Sequence, residues 1–152
     1  MNNPFQFTIA IRKKITDLIR SLSIEQLNKI PAECNNNLAW HLGHIVVSPE
    51  ILCYHRTGAM PEKEIGLVDK YRNGTKPESF INQEEVDGLI ARLLPSYDAI
   101  LEDYNKGIFE TITPYATHTF GIEMTTIEEV FSVCSHHDLL HAGQMQVMRR
   151  LV

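Results

Sequence analysis

The chain has 152 residues, 43% hydrophobic and 22% charged, with 14 Lys and Arg against 19 Asp and Glu for a formal net charge of -5. A chain of this length is expected to form one domain, residues 1–152, and to bury about two-thirds of its unfolded surface without disulfides or a structural metal, which leaves any metal free to serve function. Lys13, Lys14, Arg149 and Arg150 are scattered rather than clustered, and with the acidic balance this excludes a nucleic-acid partner, which needs a phosphate-neutralising patch.

Asn3 and Pro4 offer an N-cap followed by proline at the first helical position. Ile11, Ile15, Leu18 and Leu22 then recur at helical spacing, so a first helix is expected over roughly 4–21. Ser23-Ile24-Glu25-Gln26 has the capping-box form, but Pro31 limits it to a short turn of helix. Asn35, Asn36 and Asn37 can each cap a second helix, whose pattern reaches about Arg56 before Gly58 can close it. From Thr57 to Ile81 the chain holds Pro61, Gly66, Gly74 and Pro77 without sustained period, a long connection of the kind that forms a lid or a crossover.

Asn82-Gln83-Glu84-Glu85 opens a third helix with Val86, Leu89, Leu93, Tyr97, Ile100 and Tyr104 on its apolar face, and Pro95 should kink or split it. Residues 105–124, rich in Thr and β-branched side chains, read as irregular or briefly extended. Thr125-Thr126-Ile127-Glu128-Glu129 holds two overlapping capping boxes and opens a fourth helix that runs to near the C-terminus. Four such helices with long connections imply an all-α four-helix bundle with at least one crossover. No stretch approaches 18 uninterrupted apolar residues, and the N-terminus has no basic start before an apolar run, so no membrane partner and a cytoplasmic location are expected. Cys34, Cys53 and Cys134 form no CxxC pair, which suits reduced thiols.

The chemistry concentrates in histidines. His137 and His141 are one helical turn apart, so both imidazoles can reach one ion. The stripe 134, 137, 141, 144, 148 carries Cys134, His137, His141, Gln144 and Met148. A second stripe, 37, 40, 44, 48, 51, 55, carries His44 near the middle of its helix, where it can meet the other two if the helices face each other. His41 could take its place, or stand at the pocket edge or on the surface. Cys134 is either a fourth ligand or a small buried side chain. His136 points about 100° from His137 and should be exposed, His55 suits a helix end, and His118 has no evident partner. Three neutral imidazoles with an open position describe a catalytic rather than a closed zinc-type site, and imidazole suits zinc and nickel alike. There is no GxSxG, no phosphate-binding glycine loop and no ExxH pair, so serine hydrolase, nucleotide-binding and di-iron chemistries lack support.

The segments Asn36-Asn37-Leu38-Ala39-Trp40-His41-Leu42-Gly43-His44-Ile45, Gly74-Thr75-Lys76-Pro77 and His137-Asp138-Leu139-Leu140-His141-Ala142-Gly143-Gln144 resemble the DinB-like superfamily, which includes the bacillithiol- and mycothiol-dependent transferases. The resemblance spans nearly the whole chain and is most specific in the C-terminal HxxxHxGQ. It implies an up-down-down-up bundle, a divalent metal on His44, His137 and His141, and a homodimer. On that basis the expected function is thiol S-transfer to an electrophilic small molecule, with a low-molecular-weight thiol as partner. The alternatives are metal-dependent hydrolysis, with Glu50, Asp138 or Glu123 as base by residue type, and a non-catalytic metal-binding dimer in stress response. Tyr97, Tyr104 and Met148 are expected to supply apolar surface to the dimer.

Overall fold

In the computed structural model, which describes residues 5–152, the protein is an all-α helical bundle. Helix α1 spans Gln6–Arg20, and the expected cap at Asn3 and Pro4 lies outside the described residues. Ser23 caps a single turn, α2 (Ile24–Asn28), through a complete capping box with Gln26. Asn37 caps α3 (Leu38–Glu50) by accepting the Trp40 N–H at 2.8 Å. Residues Ile51–Arg56 continue that rod as π-helix, and Gly58 turns the chain with φ +72°. The long connection carries one helical turn, α4 (Val68–Tyr71).

The third expected helix is split by Pro95 into α5 (Gln83–Leu93) and α6 (Pro95–Asn105), with Asn82 capping the first piece. Residues 105–124 contain only a short ribbon, in which β1 (Tyr115–Ala116) pairs antiparallel with β2 (Glu123–Met124). The last helix, α7 (Ile127–Met148), starts from a capping box between Thr126 and Glu129. No helix among the described residues is long and apolar enough to cross a membrane. Helix α3 sits centrally, touching α2, α4, α5, α6 and α7, and every residue from Leu38 to Pro49 is buried.

Apolar burial falls into two clusters. One gathers Ile15, Leu18, Leu42, Ile45, Leu89 and Met145 with their neighbours, and the other Phe5, Tyr54, Tyr97, Phe131 and Cys134 with theirs. Arg12 touches both: it is 0% exposed and its guanidinium lies 4.2 Å from the centre of the Tyr97 ring. Its Nε donates to Asp138 Oδ2 at 2.6 Å, and Asp138 is also fully buried. Its other nitrogens donate to the carbonyls of Ile45 and Leu93 and to Ser96 Oγ.

Two prolines explain these partners. Pro49 has no N–H to return to the carbonyl four residues before it, which frees Ile45 O. The break at Pro95 likewise frees Leu93 O, because the Tyr97 N–H bonds instead to Leu94 O at 3.1 Å. A buried carbonyl without a donor is costly, and one planar guanidinium donates to both, with the Ser96 hydroxyl a second donor to Leu93 O at 3.3 Å. Burial alone would lower the Arg12 pKa, but the Asp138 carboxylate raises it above its ordinary value and the side chain stays charged. Arg12 thereby joins α1 to α3, α5, α6 and α7, and on α7 it holds the residue next to His137.

Candidate metal centre

Between the two apolar clusters, α7 places His137, Asp138 and His141 at the level where α3 places His41, His44 and Ser48. One nitrogen from each of His44, His137 and His141 lies within 4.8 Å of the others, a group that could hold a metal ion. His44 is 5% exposed, His141 9% and the His137 side chain 13%, the last two facing a cavity.

The hydrogen bonds assign the lone pairs. His44 Nδ1 is 2.7 Å from the carbonyl oxygen of Tyr71, an acceptor only, so Nδ1 carries the proton and Nε2 is bare. That Nε2 faces His137 Nε2 at 3.1 Å. Two imidazole nitrogens on one tetrahedral zinc would be roughly 3.3 Å apart, given zinc–nitrogen bonds of about 2.0–2.1 Å. Ser48 Oγ donates to the His44 carbonyl at 2.6 Å, so its proton does not compete for the bare nitrogen. His141 turns Nδ1 to His41 Nδ1 at 2.8 Å, which leaves Nε2 for the cluster. His137 Nδ1 is buried with no hydrogen-bond partner, and the nearest Asp138 oxygen is 4.0 Å away.

Several packing contacts hold this arrangement. Trp40 stacks on His44 with ring centres 4.7 Å apart and planes 10° apart, while its Nε1 donates to Thr75 Oγ1 at 2.9 Å. Tyr71, whose carbonyl orients His44, lies against Gly43 so closely that a Cβ there would enter its ring. The 57–81 connection is therefore part of the site, through a backbone carbonyl that no residue-type motif encodes. Burial first, and then the electrostatic effect of the neighbouring His137 ring, lower the pKa of His44 to about 4 and of His41 to about 4. Burial and the three neighbouring histidines lower His141 to about 2. These imidazoles are neutral at pH 7, the form that binds metals.

Other expectations resolve differently. His41 is 5% exposed, so it is neither on the surface nor within the three-nitrogen group. It backs His141 as the partner that orients a ligand ring. Cys134 is 1% exposed beside Cys53 and packs as a small apolar side chain. Gln144 is exposed and off the stripe, because Asp138, His141, Met145 and Met148 form the inward face. Asp138 is committed to Arg12, Glu50 pairs with Arg92 at 3.3 Å, and Glu123 is exposed on β2. None of the three carboxylates lines the cavity. His136 is exposed as expected, and His55 Nε2 donates to Lys63 O at 2.7 Å.

The cavity beside the cluster measures about 270 Å³. Its walls include His44, His137 and His141, the apolar Phe120, Val133 and Leu140, and His118, which the sequence left without a partner. A signal for His118 was available only in the fold, since residues 117–120 reach the histidines through tertiary packing. The family model of the DinB superfamily matches residues 8–145. No curated protein matches the chain.

Proposed function

This chain belongs to the DinB superfamily, and we propose that it is a metal-dependent enzyme transferring a small thiol to an electrophilic small molecule, with His44, His137 and His141 holding one zinc or nickel ion. The observation that carries this reading is the pair of facing Nε2 atoms 3.1 Å apart, one bare by hydrogen bonding, at the wall of an open cavity. A closed structural site would call for a fourth protein ligand, and Cys134, the candidate by spacing, is outside the group. When bound, a dication on neutral imidazoles lowers the pKa of a thiol or water that reaches it by several units.

The protein's own contribution is positional. The Tyr71 carbonyl keeps the His44 proton on Nδ1, Trp40 fixes the plane of that ring, and His41 Nδ1 shares one proton with His141 Nδ1, which would be the donor with a metal on its Nε2. Phe120, Val133 and Leu140 supply the apolar wall that limits water beside the reacting sulfur. In the transfer itself, the thiol sulfur bonds to the electrophilic carbon, the leaving group departs with its electron pair, and the thiol proton passes to solvent. Hydrolysis has less support because, among the described residues, no carboxylate lines the cavity as a general base. The test is conjugation of 1-chloro-2,4-dinitrobenzene with a panel of small thiols, alongside metal analysis after loading with zinc, nickel or manganese. Metal-dependent conjugation above the uncatalysed rate is expected. A rate equal to that of a His44→Ala protein for every thiol would reject the enzyme reading.

The homodimer is part of the same proposal, though on a different surface from the one expected. Tyr97 and Met148 are 1% and 5% exposed and belong to the core of the single chain. The outer face of α7 instead presents Leu139, Leu140 and Val147, which are 55%, 43% and 62% exposed along one groove with Met148. Such contiguous apolar surface is characteristic of an interface. Light scattering at micromolar concentration is expected to give twice the chain mass, and a monomeric mass counts against it.

A further inference from the structure

The cavity at the histidines opposes the charge of the chain that forms it. The whole chain carries -5, yet among the described residues no Asp or Glu lines this cavity, whose charged walls are Arg56 and Arg72. Arg56 closes the π-helical end of α3. Its guanidinium lies 4.7 Å from the centre of the Tyr115 ring and donates to the Ala116 carbonyl at 3.0 Å. An aromatic face and one carbonyl position this group without neutralising it, and among the described residues it has no carboxylate partner. Arg72 follows α4 and has only Asp69, 3.7 Å away, with both side chains exposed and Asp69 outside the cavity. An exposed pair at that distance holds a guanidinium weakly.

We infer that the ligand of this cavity is a small molecule bearing an oxyanion, a carboxylate or a phosphate, read by Arg56 and Arg72 while its reactive end lies against His44, His137 and His141. Guanidinium groups match planar oxyanions with paired hydrogen bonds, and a cleft of one sign concentrates ligands of the other. The cavity, about 270 Å³, is just below the roughly 300–1,000 Å³ of drug-sized ligand sites, which suits a small ligand. The placement of the reactive end rests on the metal-enzyme reading above; the preference for an anion does not.

The experiment separates the two. Equilibrium dialysis against zinc first reports metal stoichiometry. Metal-free protein is then titrated by NMR at low salt with succinate, with inorganic phosphate and with neutral succinamide, and the same is done for R56Q/R72Q. Both arginines are exposed, so the double variant should keep its helical signal and its zinc stoichiometry. One oxyanion is expected to bind at least tenfold more tightly than succinamide, and the double variant should bring that ratio near one. Tighter succinate assigns a carboxylate, and tighter phosphate assigns a phosphate. No preference in the parent protein, or a preference that survives in the double variant, overturns the inference. Absent zinc binding with an intact anion preference overturns only the metal reading.

Discussion

Replacing His141 with alanine is expected to abolish stoichiometric binding of zinc or nickel while the helical circular-dichroism signal is retained. The side chain borders an open cavity and supplies one of three facing nitrogens, so its removal takes away a ligand without opening a large hole in the apolar core. Residues that merely orient a ligand typically cost 10–100-fold in metal affinity, and loss of a ligand should exceed that. His41→Gln provides the internal comparison: it removes the ring that backs His141 Nδ1 and leaves all three ligand nitrogens, so its loss should stay within about 100-fold. Affinities from competition with a chromophoric chelator decide the ranking. Unchanged affinity in His141→Ala places the site elsewhere and removes the basis of the enzyme reading.

The second large effect concerns the buried ion pair. Arg12→Leu leaves the Asp138 carboxylate at 0% exposure without its cationic partner, takes the guanidinium donor from the Ile45 carbonyl, and leaves Leu93 O only the Ser96 hydroxyl at 3.3 Å. Breaking a buried pair by removing one partner costs about 3–5 kcal/mol, a large share of the roughly 5–15 kcal/mol that stabilises a typical domain. Urea unfolding should show a loss of this size. Asp138→Leu should destabilise in the same way, and the double replacement should cost less than the sum of the two, since no unpaired charge remains. Metal affinity should fall in Arg12→Leu as well, because Asp138, which Arg12 holds, is next to His137 on α7. Stability within about 1 kcal/mol of the parent would mean that water reaches the pair and that it has no such organising role.

What was legible from the sequence was local. Helical stretches follow from spacing and from caps such as Ser23, Asn37, Asn82 and Thr126, each acting within three residues of itself. The shared face of His137 and His141 follows from one turn of helix. The split at Pro95 follows from a missing N–H. Long-range partners carried no such signal. Nothing local marks Arg12 as buried, because Pro49 and Pro95, far along the chain, free the carbonyls to which it donates. Asp138 reads as an acid of catalytic type until Arg12 is opposite it. Within α3 every side chain from Leu38 to Pro49 is buried, so hydrophobic period cannot choose between His41 and His44. The choice is made by the Tyr71 carbonyl, brought within 2.7 Å of His44 because Gly43 lets that ring approach.

The spacing of residues along one helix therefore determined the elements and two of the three facing imidazoles. The third, His44, follows from its place mid-helix and from the family resemblance, whereas the partner of the buried arginine and the basic cavity wall of Arg56 and Arg72 were decided only by tertiary structure. Each depends on groups from separate segments meeting at hydrogen-bonding or packing distance, and neither side-chain periodicity nor residue type records where a distant backbone carbonyl will point.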